Sequence, residues 1–223
     1  MDDPLYFKRE LDLVNTFVDF LKQGSLPAQT QVIQEFESGH GIADIVVFEA
    51  ENLSGHGVAE FSKIPPRYAV IFANGILPSR FDSQQFSNMT GMNVGSSTRL
   101  LNSLTKQGVL RSSGQGVYEQ VVKPVSPVGC IVSIEAKLRD WQRALRQAYR
   151  YREFSNQSWV LLDAGRVSPA LQNLQKFNRA GIGLASISPS GGLFIHYEPE
   201  VTNSFSESRY WAASAQLTRL CLK

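Results

Sequence analysis

The chain has 223 residues, 43% of them hydrophobic, with 22 lysines and arginines against 20 aspartates and glutamates. This length and apolar content call for a globular protein with a substantial core in one or two domains. The net charge of +2 and pI near 8.5 do not mark a nucleic-acid binder by themselves, because only local clustering of charge could. Cys130 and Cys221 make neither a disulfide framework nor a metal-ligand spacing. The acidic start carries no secretory pattern, and no window reaches the roughly 20 apolar residues of a membrane span. A soluble cytoplasmic protein with no membrane partner is expected.

In chain order, Asp2-Asp3-Pro4 reads as a helix start, with Leu11, Val14, Val18 and Leu21 at helical spacing behind it and Gly24 closing the run. Glu10 lies at the edge of that stripe, where a glutamate is ordinarily solvated. An alternating strand is expected over Gln29 to Phe36, then a turn at Ser38-Gly39, then a β-branched strand over Gly41 to Phe48. Asp44 inside that strand is unfavourable by propensity and by burial, so it needs a cation, a hydrogen-bonding partner or the end of the sheet.

Residues 49–66 turn to Ser, Gly, Pro and charge, as a linker does, and 67–123 form a separate small unit. Tyr68 to Phe72 fits a helix or a strand equally. Helices are expected over Ser83 to Met89 and Ser96 to Gln107, with a glycine-containing turn between them. A hairpin then runs over Val109 to Arg111 and Val117 to Glu119. That order is the order of a winged helix-turn-helix. On its second helix Ser96, Ser97, Thr98, Arg99, Asn102 and Lys106 lie off the Leu100, Leu101 and Leu104 face and are the candidate DNA contacts.

The stretch after the insert carries the chemistry. Cys130 to Ile134 is a buried strand that delivers Glu135-Ala136-Lys137, and residues two apart on a strand share a face. Taken alone, Glu135 and Lys137 read as an exposed strand-end pair. If the Asp44 and Glu135 strands pair antiparallel, with Phe48 opposite Ile131, Asp44 comes opposite Glu135 and all three groups converge. Two carboxylates held together repel unless a hard divalent cation, Mg²⁺ or Mn²⁺, sits between them, with the Ala136 carbonyl as a further ligand. A helix from Trp141 to Phe154 follows. Arg139, Arg143, Arg146 and Arg150 recur along it at four, three and four, a basic stripe for a phosphate backbone that Asp140 and Glu153 could partly neutralise. Gln147 and Tyr151, four apart, reach one side of the helix near the carboxylates. Beyond it come a strand at Ser158 to Leu162, a helix at Pro169 to Ala180, strands at Gly181 to Ile187 and Leu193 to Tyr197, and a terminal helix at Ser206 to Leu220. His40, His56 and His196 are isolated, and Ser133 lacks the partners of a nucleophile.

Gly41-Ile42-Ala43-Asp44, then Glu135-Ala136-Lys137, then Gln147 followed by Tyr151, resembles the GxxD, (D/E)xK and QxxxY series of the PD-(D/E)XK nuclease superfamily, in the style of its RecB-like branch. The resemblance covers roughly Pro4 to Phe48 and Gly129 to Tyr197. It implies an α/β, restriction-endonuclease-like mixed central sheet flanked by helices, in a discontinuous domain of residues 1–48 and 129–223. By the resemblance Asp44 and Glu135 bind metal, Lys137 is catalytic, and Gln147 and Tyr151 support the site or contact DNA. The superfamily's first-helix glutamate matches Glu10, with Glu35 and Glu37 as rivals. The long insert and the lack of any motor motif depart from the family pattern. The expectation is an Mg²⁺- or Mn²⁺-dependent endodeoxyribonuclease acting on DNA, with a homodimer left open as its assembly; the alternatives are a silent DNA-binding regulator and a protein-interaction module on the same scaffold.

Overall fold

A computed structural model describes residues 6–24, 26–39 and 41–223. The first half runs through helix α1 (Glu10–Gln23), strands β1 (Thr30–Glu37) and β2 (Ile42–Ala50), helices α2 (Val58–Lys63) and α3 (Ala69–Ala73), strand β3 (Phe81–Asp82), and helices α4 (Ser83–Thr90) and α5 (Val94–Lys106). The second half holds strands β4 (Leu110–Gly114), β5 (Val117–Gln120) and β6 (Val128–Lys137), helix α6 (Trp141–Tyr151), strand β7 (Gln157–Asp163), helices α7 (Ser168–Leu171) and α8 (Leu174–Ala180), strands β8 (Gly183–Ile187) and β9 (Leu193–Tyr197), and helix α9 (Glu207–Cys221). The expected helix start at Asp2-Asp3-Pro4, and His40, lie outside the described residues.

The chain divides into two compact units, residues 1–49 with 130–206 and residues 50–129 with 207–223. In the first, a six-stranded mixed sheet runs β1-β2-β6-β7-β8-β9. The β1–β2 and β8–β9 pairs are antiparallel, while β6–β7 and β7–β8 are parallel. The parallel neighbours are joined through helices, as parallel pairing requires, and they carry apolar residues on both faces because both faces are covered. On one face, Ile45, Ile134, Ala136, Leu161, Ala185 and Ile187 pack with Leu13, Val14, Phe17 and Val18 of α1. That stripe is rotated from the expected one: Leu11 is half exposed, and Leu13 and Phe17 point inward. On the other face, Val160, Leu162 and Leu184 pack with Trp141, Ala144 and Ala148 of α6 and Phe177 of α8. Gly183 lies so close to the Trp159 ring that an added Cβ would fall 2.2 Å from it, which explains a glycine at this strand entry. The single helix expected over Pro169 to Ala180 is two, because Asn173 turns its side-chain amide back onto the Pro169 carbonyl at 3.0 Å and interrupts the run.

The second unit packs helices against a three-stranded antiparallel sheet, β3-β5-β4. Phe86 of α4 is fully buried among the rings of Tyr68, Phe72 and Phe81. Asp82 and Gln85 close a reciprocal capping box at the start of α4, Gly91 ends it at φ 69°, and Asn93 caps α5 through the Ser96 amide. Two expectations change here. Residues 49–66, read as a linker from their polar composition, contain α2, whose Phe61 joins Ile64 at zero exposure in this core. The terminal helix, assigned by its place in the sequence to the first body, groups with this unit: Ala215 sits in its core, Trp211 meets Phe61 edge-on, and Arg219 donates to the carbonyls of Ser62 and Ile64. No helix among the described residues is long and apolar enough to cross a membrane.

Candidate active site

Strand alternation builds the site. Ile134 and Ala136 of β6 turn to α1, so Glu135 and Lys137 turn to the α6 face, and β2 lies beside β6 in the sheet. Lys137 Nζ stands 2.9 Å from Glu135 Oε1, 3.6 Å from Asp44 Oδ2 and 3.2 Å from Glu10 Oε2, and it donates to the Ala136 carbonyl at 2.9 Å. Asp44, which the sequence left in need of a partner, accepts a 2.7 Å hydrogen bond from the Ala136 amide. The groups that meet come from α1, β2 and β6, more than ninety positions apart in the chain for Asp44 and Ala136. Of the three candidate glutamates, Glu10 is the one in contact with Lys137. Glu35 sits at φ 52° between the paired residues Gln34 and Phe36.

The cluster holds three carboxylates against one ammonium, and it is partly dry. Glu135 is 1% exposed and Lys137 13%. Burial pushes the Glu135 carboxyl up, and the charge of Asp44 pushes the same way, against the bonds from Lys137 and Tyr151. Burial likewise raises Asp44, offset in part by the Ala136 amide and Lys137. For Lys137 burial works downward, but the Glu135 hydrogen bond and the negative charges of Asp44 and Glu10 outweigh it, so the amine is held protonated. Such a site favours added positive charge.

Tyr151, one turn beyond Gln147 on α6, joins the cluster. Its phenol oxygen is 2.7 Å from Glu135 Oε2 and 2.6 Å from the Ile42 carbonyl. Gly41, the glycine of the GxxD stretch, has φ 134°, and a Cβ there would touch the Tyr151 ring at 3.5 Å. Gln147 makes no hydrogen bond to the carboxylates. Its Oε1 is buried without a hydrogen-bond partner. Residues four apart on a helix are displaced by about 6 Å along its axis, and Tyr151 is the one that reaches Glu135.

Among the described residues no group of three or more His, Cys, Asp and Glu side chains is placed to hold a metal ion by itself. The donor set at Asp44 and Glu135 is nonetheless oxygen-only: two carboxylates and the Ala136 carbonyl. That composition fits a hard cation such as Mg²⁺ or Mn²⁺, which takes one or two carboxylates and completes its shell with water and phosphate oxygens, and it does not fit Zn²⁺.

The basic stripe is shorter than its spacing implied. Arg139 precedes the N-cap Asp140, so it stands outside the helix, and the Asp140 side chain accepts from the Arg143 amide. Arg143, Arg146 and Arg150 line one concavity of about 550 Å³ together with Leu145, Gln147, Tyr149 and Ala180. A hollow of about 200 Å³ between α1 and the sheet has only apolar walls, so it offers no group for chemistry. Ser133 is buried and bonded to Ser155 and Ser158 at 2.9 and 2.8 Å.

In the second unit, Arg99, Asn102 and Lys106 of α5 are exposed and Ser96 and Thr98 half-buried. Ser97 is fully buried, so this candidate contact is withdrawn from any surface. It stands four and seven residues before Leu101 and Leu104, on the inward stripe. Asn102 Oδ1 accepts from the Tyr118 hydroxyl at 2.8 Å, and Thr98 donates to the Val94 carbonyl at 2.9 Å. Compared with protein-family models, curated proteins and solved structures, the chain matches none.

Proposed function

We propose that the chain is an Mg²⁺- or Mn²⁺-dependent DNA nuclease of the PD-(D/E)XK type, with a restriction-endonuclease-like first unit and a winged-helix second unit. The observation that carries this reading is the meeting of Asp44, Glu135 and Lys137 around one ammonium, with 2.9 and 3.6 Å contacts. A scaffold without chemistry has no physical reason to hold two carboxylates together, one of them fully buried, against their mutual repulsion.

Asp44 and Glu135, with the Ala136 carbonyl, would hold the cation, which when bound supplies Lewis-acid polarisation of a phosphoryl oxygen and a more acidic water. Lys137, kept protonated by its carboxylate neighbours, donates hydrogen bonds toward the charge that builds on the phosphoryl oxygens. Glu10 orients that amine from α1. Tyr151 fixes the rotamer of Glu135 through its hydroxyl, itself held at the Ile42 carbonyl.

The second unit supplies the grip. It carries ten lysines and arginines against five aspartates and glutamates, whereas the first carries twelve against fifteen, so the basic character of the chain resides there. Exposed Arg99 and Lys106 on α5 suit phosphate contacts, and the Asn102 amide nitrogen, whose oxygen is engaged by Tyr118, is left to donate to a base edge. The same charge distribution favours the second reading, a DNA-binding regulator that no longer cuts.

Supercoiled, linear, single-stranded and branched DNA incubated with Mg²⁺, Mn²⁺ or EDTA separates the two. The nuclease cuts at least one of them only with the cation, and a regulator binds and cuts none.

A further inference from the structure

The arginine-lined concavity on α6 is not used by the hydrolytic cluster, and its lining specifies a ligand. Arg143, Arg146 and Arg150 recur at three and four along one helix face, so three arginine side chains line one bowl. No carboxylate lines it, and among the described residues none of the three makes a salt bridge. Of the two acids that flank the stripe, Asp140 is taken up in capping the helix and Glu153 is not part of the lining. Like charges stacked this way repel unless an anion joins them. The concavity is open to solvent, and its volume of about 550 Å³ has room for a nucleotide.

One further group narrows the anion. Tyr149 puts a half-exposed ring on the rim, braced edge-on by Phe205 at 5.8 Å, and such a ring is a platform for a base. Positive charge beside an aromatic face describes a nucleotide. A phosphodiester inside a strand offers one negative charge and two free oxygens. A terminal phosphate monoester offers close to two charges and three oxygens, the better match for three forked donors.

We infer that this bowl binds the phosphorylated end of a DNA strand, with its phosphate on Arg143, Arg146 and Arg150 and its terminal base on Tyr149. The inference rests on the DNA reading above and narrows it from interior positions to strand ends.

The test is binding in EDTA, where no cleavage is expected, so it stands or falls separately from nuclease activity. Short thymidine oligonucleotides with a 5′-phosphate, a 3′-phosphate or hydroxyls at both ends are titrated against the full chain by fluorescence anisotropy, and thymidine monophosphate is used as a competitor. One phosphorylated end should bind at least about tenfold tighter than the hydroxyl end, the value of about one charge-assisted hydrogen bond; which end does so assigns the strand polarity. Arg143→Gln with Arg146→Gln should remove that preference while leaving the melting temperature of the protein near the parent's, and Tyr149→Leu should weaken all ends. Equal affinity for all three oligonucleotides, or a preference that survives the double variant, would overturn the inference, and thymidine monophosphate binding as tightly as the best oligonucleotide would reassign the bowl to free nucleotides. Cation-dependent cleavage with no end preference would sink the bowl alone; end preference with no cleavage would sink the nuclease alone.

Discussion

The Tyr151 phenol oxygen lies 2.7 Å from Oε2 of Glu135 and 2.6 Å from the Ile42 carbonyl, so one phenolic hydrogen faces two acceptors on two different strands. This bridge ties α6 to both β2 and β6 at the point where the acidic groups converge. Tyr151→Phe keeps the ring in its buried place and removes only the bridge. Glu135 then keeps Lys137 as its remaining partner. The expected result is a loss of about 10- to 100-fold in Mn²⁺ affinity or in cleavage rate, the usual effect of removing a group that orients a metal ligand. Activity and Mn²⁺ titration of the variant check it.

The GxxD glycine protects the same bridge. Gly41 holds φ 134°, a region closed to side-chain-bearing residues without strain, and it precedes the carbonyl that Tyr151 bonds. Gly41→Ala should cost about 1–3 kcal/mol of stability, read as a lower midpoint in urea. An unchanged midpoint would mean that the backbone relaxes there freely.

Removing a carboxylate should stabilise the metal-free protein. Asp44 and Glu135 are each pushed up by burial, so at neutral pH their charges oppose folding. Asp44→Asn can still accept from the Ala136 amide but carries no charge. It should melt higher than the parent in EDTA, and Mn²⁺ should raise the melting temperature of the parent more than that of the variant. A variant that melts lower in EDTA and still gains from Mn²⁺ would place the cation elsewhere.

His196 gives a dependence on pH away from the site. Its Nε2 is 2.8 Å from the buried Ser186 hydroxyl, and burial lowers its affinity for a proton. The unfolded chain therefore takes up the proton more readily than the fold does. The contribution is intact above the ordinary histidine value of about 6.5 and is lost as pH falls through and below it. His196→Gln should flatten the fall in melting temperature between neutral and mildly acidic pH.

On α5, Arg99→Ala and Lys106→Ala should each weaken DNA binding and lower the salt slope by about 0.9 for every phosphate left unneutralised. Ser97→Ala should change neither, because its hydroxyl is buried. Filter binding across a range of salt reads both.

How far the sequence reaches can be judged from single residues. Period-two alternation is enough to put Glu135 and Lys137 on one face of β6, and an unfavourable aspartate in a β-branched run is enough to single out Asp44. Ser97 is also legible, since it stands on the Leu101 and Leu104 stripe, but its polarity masks its position. Arg139 has helical spacing from Arg143 yet lies before the cap, and spacing alone does not say where a helix starts. Helix α2 hides in polar composition because only Val58 and Phe61, with Ile64 just beyond its end, mark its inner face. The grouping of α9 with residues 50–129 depends on packing against residues far away in the chain, which no local pattern encodes. The arginine bowl needs the structure, because Ala180 of α8 closes part of its wall.

The most direct measurement is the single-turnover cleavage rate of DNA in Mn²⁺ for the parent, Asp44→Ala and Lys137→Ala, each at saturating protein, with DNA affinity measured in EDTA. Cleavage by the parent is expected, with none above background by either variant and affinities in EDTA that stay close to the parent's, since the arginines of α6 and the cations of α5 are untouched. Equal rates for all three would contradict this and would assign any hydrolysis to groups other than Asp44, Glu135 and Lys137.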